Sequence, residues 1–181
     1  MRGNVANISL FHGAADDKDG LITIVRPQAN AANSQIAEAS NQNLHGDFSI
    51  VRAAKLDGIV SAHLPRLGGH LKDVCAIKID VECSELRALR GARSLLASPN
   101  LKMIKFEFVP WYCIESGLMP EPRELLELLV EYGFNVLGSG PGLEERIYLP
   151  QEFDNLISIM NKHKIMSRDL VAFKLSRSQF A

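Results

Sequence analysis

Apolar and charged residues alternate strictly along "IKIDVE" at 77–82. In an extended strand this puts Ile77, Ile79 and Val81 on one face and Lys78, Asp80 and Glu82 on the other. "IKFE" at 104–107 repeats the pattern, with Lys105 and Glu107 falling together. Between them, "SELRALRGARSLLAS" changes to helical spacing. Leu86, Leu89, Ala92 and Leu96 form one stripe, Arg87, Arg90 and Arg93 face away, and Pro99 ends the run. The pattern predicts two parallel, adjacent strands joined by one helix, with their acids near the same C-terminal edge. Ligands of open α/β sheets bind outside that edge.

The rest of the chain continues the rhythm. "NISLFHGA" and "LITIVR" predict strands, the second stopped by Pro27. Residues 28–46, rich in Asn, Ala, Ser and Gln, predict a mobile excursion with a weak helix around "SQIAEAS". "FSIVRAAKLD" returns as a strand, and "GIVSAHLPRLGG" predicts a helical turn or two ended by Pro65 and the Gly68-Gly69 pair. "VCAIKID" and "LKMIKFEFV" enclose the two charged strands. "EPRELLELLVEYG" predicts a helix with Pro122 in its first turn and Gly133 at C′. A strand "FNVLGS", a Gly-rich connecting loop "GSGPGLEER", a helix "EFDNLISIMNKHKI" and a closing strand "DLVAFKL" complete the order. Strands alternating with helices predict an α/β fold with parallel core strands.

Composition narrows the field. With 181 residues, 46% hydrophobic and 23% charged, the chain has the make-up of one core-forming domain. A net charge of −1 offers no broad attraction to nucleic acid or to an anionic membrane. No apolar run approaches the roughly 20 residues a membrane span needs. Cys75, Cys83 and Cys113 are an odd set without CxxC spacing, which favours a reducing, cytoplasmic compartment over a disulfide scaffold. The histidines are scattered, and no zinc-like cluster is predicted.

Asp80, Glu82 and Glu107 are thus the candidate chemistry, set against the alternative of a merely wet strand face with weak surface pairs. The first turn of the following helix tips the balance, because its N–H groups and positive dipole favour a bound anion or an ordered carboxylate.

"IKIDVECSELRALRGARSLL" resembles the "KIDVEGxExxxLxGAxxLL" signature of the FkbM-type methyltransferase family, which uses S-adenosylmethionine. "GAADDKDG" resembles the family's "AxsDxxG" turn, "KLDGIV" its "TLDxL" segment and "MIKFEF" its next core strand. The likeness runs from about Asn7 to Phe134.

The resemblance implies a class I methyltransferase, Rossmann-like three-layer α/β fold. Its sheet would be mostly parallel, with an antiparallel last strand and an inserted β-hairpin, in a single domain over 1–181. It implies that Gly13, Ala14 and Ala15 pack on the adenine of S-adenosylmethionine, flanked by His12 and Asp16. Asp80 and Glu82 would look into the same pocket and orient or deprotonate a small-molecule or sugar oxygen. Glu85 would order the helix entry and Lys78 would neutralise the acids.

Two departures stand out. Cys83 replaces the family's Gly, a position suited to positive φ. The family's Gly-rich cofactor loop and ribose-binding acid precede the matched region, so the chain reads as an N-terminally truncated fragment, in preference to a segment at 21–51 rearranged to cover the exposed edge. "VCAIKIDV" would then be an open edge inviting self-association, and "ISLFHGA" would lack a partner. The alternatives are a non-catalytic remnant acting as an interaction module, and a metal-dependent hydrolase using Asp80, Glu82 and Glu107 on a hard cation.

Overall fold

The computed structural model describes residues 8–27, 34–37, 46–119, 121–138, 143, 145–164 and 169–175. Its strands form two sheets. The first contains β1 (Ala14–Ala15), β2 (Gly20–Pro27), β3 (Gln35–Ile36) and β4 (Gly46–Ala54), in the spatial order β1-β4-β2-β3. β2 and β4 make a long antiparallel ladder, from Gly20 opposite Ala53 to Pro27 opposite Gly46. β1 runs parallel to β4, whose end leads directly into α1 (Leu56–His63).

The second sheet is built on β5 (Ala76–Ile79) and β6 (Met103–Glu107), which pair in parallel with Lys78 opposite Lys105. The crossover between them carries α2 (Glu85–Arg90) and α3 (Arg93–Ala97). After β6 come α4 (Pro110–Glu115), α5 (Arg123–Glu131), β7 (Asn135–Leu137), β8 (Ile147–Tyr148), α6 (Phe153–Lys162) and β9 (Asp169–Phe173). The order across the sheet is β5-β6-β9-β7-β8. β9 is antiparallel to both β6 and β7, so β5, β6 and β7 all run the same way. Among the described residues no strand pairs with the outer edge of β5.

The α/β class, the parallel adjacent pair and the antiparallel last strand match expectation. The single, mostly parallel sheet does not: there are two sheets and both are mixed. β1 finds no partner in the second sheet and pairs instead with β4 of the hairpin. "NISLFHGA" is likewise not a strand over Ile8–His12, where Ile8 and Leu10 lie exposed; only Ala14–Ala15 is extended and paired. Within the expected excursion, Gln35–Ile36 is a strand pairing with Ile24 and Val25 of β2, not a helix. Residues 28–33 and 38–45 lie outside the described residues, as do 139–142 of the Gly-rich loop.

The core sits around the second sheet. Leu86, Leu89, Ala92 and Leu96 are all buried, with Ile104, Phe106, Phe108, Leu125, Leu129 and Phe153 in the same cluster. Each of these Leu, Ile and Phe side chains contributes about 1.5–3 kcal/mol on burial. The stripe is not one helix, however, but two short ones broken at Gly91-Ala92. A Cβ on Gly91 would lie 2.1 Å from the Asp16 carbonyl oxygen, so the break brings the end of β1 against the crossover. Asp57 caps the second piece, accepting from the Ser94 and Leu95 N–H groups at 2.7 and 3.0 Å and satisfying donors that a helix start leaves open. Gly133, at φ 80°, follows α5 as the left-handed C′ residue expected of it. As expected, α1 ends just before Pro65, at His63; Pro65 then lies in the first turn of a 3-10 segment, Leu64–Leu67, closed by left-handed Gly68.

Candidate functional site

β5 ends at Ile79, so the strict alternation that placed Asp80 and Glu82 on one strand face stops before either. A turn takes over in which Glu82 and Cys83 both adopt left-handed φ, 49° and 69°. Such a backbone costs a non-glycine residue about 1–2 kcal/mol.

The turn still gathers the acids. Carboxylate oxygens of Asp80, Glu82 and Glu107 lie within 4.8 Å of one another. Half-buried Glu82 has its pKa raised, first by burial and then by the charges of Glu107 and Asp80. Asp80 is exposed and ion-paired to Lys78. Its hydrogen bond holds the Lys78 ammonium above the ordinary value, as expected of a neutralising partner. Across the sheet, Lys105 pairs with Asp169 at 2.6 Å. The two catalytic candidates therefore differ. Asp80 is held by a cation, whereas the affinity of Glu82 for a proton is raised above its ordinary value. The same oxygens are of the kind that hard cations take.

Glu85, one turn on, is almost wholly buried. Its Oε1 accepts from the Val81 N–H at 3.1 Å, closing the turn and giving it the helix-entry role expected of it. Burial pushes its pKa up to about 7, opposed by hydrogen bonds from the Val81 and Glu85 N–H groups and aided slightly by Glu107 and Glu82. A Glu at a helix start reads as an ordinary cap from sequence, so its depth carried no local signal.

On the first-sheet side, Gly13, Ala14 and Ala15 line a cavity of about 180 Å³ with Ile24, Ser34, Ile36, Val81 and Ser84. The expected loop and the tip of β5 thus meet across one space. Its wall at β5 is made by Val81 and Ser84; the carboxylates of Asp80 and Glu82 are not among the lining groups, contrary to expectation. Val81 takes the inward direction once the strand has ended, and Glu82 sits with Glu107 on the β6 side. A second cavity of about 250 Å³ shares Gly13, Ile24 and Ser34 and adds His12, Arg26, Ser49 and Val51. A pocket for a whole drug-sized ligand spans roughly 300–1,000 Å³. The smaller cavity, walled mostly by apolar and small residues, falls below that range.

Asp16 does not face that space. It is 1% exposed, and its carboxylate takes a two-pronged grip from Arg87, Nε to Oδ1 at 3.0 Å and Nη2 to Oδ2 at 2.6 Å. Burial opposes its ionisation, but the Arg87 hydrogen bonds and charge and the Asp17 N–H outweigh this and lower its pKa. Its place in the fold is structural. The pairing spans 71 residues and fastens the β1 turn to α2, so neither residue's neighbourhood in the sequence announces it.

A disulfide joins Cys83 to Cys113, with Cα atoms 5.3 Å apart, and leaves Cys75 free. This corrects the expectation of unpaired thiols. Parallel neighbours β5 and β6 deliver the turn at 83 and helix α4 side by side, so no short cysteine spacing was needed. Among the described residues no helix is long and apolar enough to cross a membrane. Comparison of the chain with protein-family models, with curated proteins and with solved structures returned no match.

Proposed function

We propose that this chain is an S-adenosylmethionine-dependent methyltransferase, acting on an oxygen of a small molecule or sugar. The observation that carries the reading is the cavity shared by Gly13–Ala15 and by Val81 and Ser84 at the tip of β5, with Glu82 in the turn between them. The strand directions support it further: β5, β6 and β7 are parallel and the last strand, β9, is antiparallel, as the sequence resemblance implies.

When bound, the cofactor would supply an electrophilic methyl group on a sulfonium. The chain's own residues then have distinct tasks. Gly13, Ala14 and Ala15 leave room for the adenine ring between themselves and Ile24, Ile36 and Val81. Glu82 lies outside that cavity, in the turn beside it, and with its raised proton affinity it would take the proton from an acceptor hydroxyl bound on the β6 side, while Lys78 keeps Asp80 neutralised. Holding nucleophile and donor in line supplies most of the rate in such a displacement, and general-base assistance adds about 10²–10⁴-fold.

Calorimetric titration with S-adenosylmethionine and S-adenosylhomocysteine tests this. Saturable heat is expected with both ligands and is lost in Ala14→Trp, whose side chain would fill the cavity. Glu82→Gln is expected to keep the heat and lose methyl transfer. No heat at millimolar ligand would overturn the reading in favour of a non-catalytic interaction module. Heat with magnesium but with neither nucleoside would favour cation chemistry at Asp80, Glu82 and Glu107.

A further inference from the structure

The Cys83–Cys113 disulfide lies just beyond the C-terminal ends of β5 and β6, where the acids gather. Cys83 is the second left-handed residue of the turn, immediately after Glu82. Cys113 is in α4, which follows β6 and its terminal Glu107. The bond therefore ties together the two segments whose carboxylates crowd within 4.8 Å. Both features it holds are unfavourable on their own: like charges at close range repel, and a left-handed non-glycine residue is strained. The Ser84 N–H to Val81 carbonyl bond at 3.2 Å and the Val81 N–H to Glu85 Oε1 bond also restrain the turn.

Both half-cystines are buried, Cys83 at 5% and Cys113 at 2% exposure. They differ in surroundings: Cys83 lines a cavity of about 310 Å³ with Lys18, Arg87, Arg90, Met119 and Glu121, among others, and Cys113 is not among its lining residues. That cavity is the approach on the Cys83 side of the bond.

We propose that Cys83–Cys113 is a reversible thiol–disulfide clamp on the acidic turn, opened by a dithiol reductant that enters this cavity and attacks Cys83. The attacking thiolate forms a bond to the Cys83 sulfur as the Cys83–Cys113 bond breaks, and Cys113 leaves as a thiolate and takes up a proton. The reductant's second thiolate then attacks its own sulfur in the mixed disulfide, releasing Cys83, which is protonated in turn. The reductant ends as a disulfide, and the protein has gained two electrons and two protons. Opened, the turn at 81–85 relaxes from its left-handed geometry and Glu82 moves away from Glu107. The clamp stands whether or not the chain transfers methyl groups, and its test needs no nucleoside.

The experiment is reduction of the native full-length chain by dithiothreitol, with thiol counting and amide hydrogen exchange read together. The count is expected to rise from Cys75 alone to Cys75, Cys83 and Cys113. Protection at residues 81–86 and 110–116 should fall by about tenfold or more while β6 and β9 keep theirs. Cys113→Ser should show the same local exchange without reductant and no further change with it; if that variant fails to fold, reductant titration of the native chain alone decides. Three outcomes would overturn the proposal: a disulfide that dithiothreitol leaves intact under native conditions, reduction that leaves exchange at 81–86 unchanged, or loss of protection throughout the second sheet, which would mark a global staple.

Discussion

Replacing Glu85 by Gln removes a buried group that titrates near neutrality, and the sign of its effect on stability follows directly. In the unfolded chain this carboxyl titrates at its ordinary value, 4.5; in the fold it is pushed up to about 7. A group with a raised native pKa supports the fold fully below its unfolded pKa. That support is lost as pH rises from 4.5 through about 7, because the unfolded chain gives up its proton first. At about 1.4 kcal/mol per pH unit of displacement, the native chain should lose about 3 kcal/mol across that window through Glu85. Gln keeps an acceptor for the Val81 N–H and has no charge to bury, so the loss disappears. Urea unfolding of both chains, near pH 5 and near pH 8, reads this out as midpoint shifts. The two should agree within about 1 kcal/mol at the lower pH, and Glu85→Gln should be the more stable by about 2–3 kcal/mol at the higher. Parallel pH dependences for the two chains would refute the reasoning, since Glu85 would then be ionised at no cost.

Other expectations concern the joints around the site. Asp16→Ala leaves Arg87 without its carboxylate and should destabilise by about 3 kcal/mol in thermal or urea unfolding, a typical cost for breaking a buried pair. The native chain, whose Asp16 pKa is lowered, should lose that contribution as pH falls below the carboxylate range, and Asp16→Ala should not. Gly91→Ala must displace the Asp16 carbonyl, which would lie 2.1 Å from the new Cβ, at a cost of about 1–3 kcal/mol in the same assay. Asp57→Ala removes the acceptor from the Ser94 and Leu95 N–H groups and should cost about 1 kcal/mol, with Asp57→Asn recovering most of it.

What the sequence disclosed and what it withheld divide along physical lines. Periodicity located the parallel pair, the apolar stripe and the well-punctuated α5, because each depends on spacing within one segment. It did not foresee the break at Gly91-Ala92, which arises from close approach of the Asp16 backbone. Nor did it foresee that β5 stops at Ile79. Alternation continues in the residue types through Glu82, but the backbone has already turned. The convergence of Asp80, Glu82 and Glu107 was legible as a shared edge. Their separation from the cavity beside Ala14 was not, since it depends on which way a left-handed turn aims two side chains. The disulfide and the Asp16–Arg87 pair are contacts of the finished fold, and no local pattern encodes either.

The account rests on the adenine ring of a nucleoside lying between the β1 turn and the tip of β5. Backbone amide shift mapping by NMR, with S-adenosylhomocysteine titrated into the native chain, tests that placement most directly. The prediction is saturable shifts concentrated at Gly13, Ala14, Ala15, Val81 and Ser84, with smaller ones at Glu82. Absence of shifts at millimolar ligand, or shifts elsewhere with those residues unmoved, would contradict it.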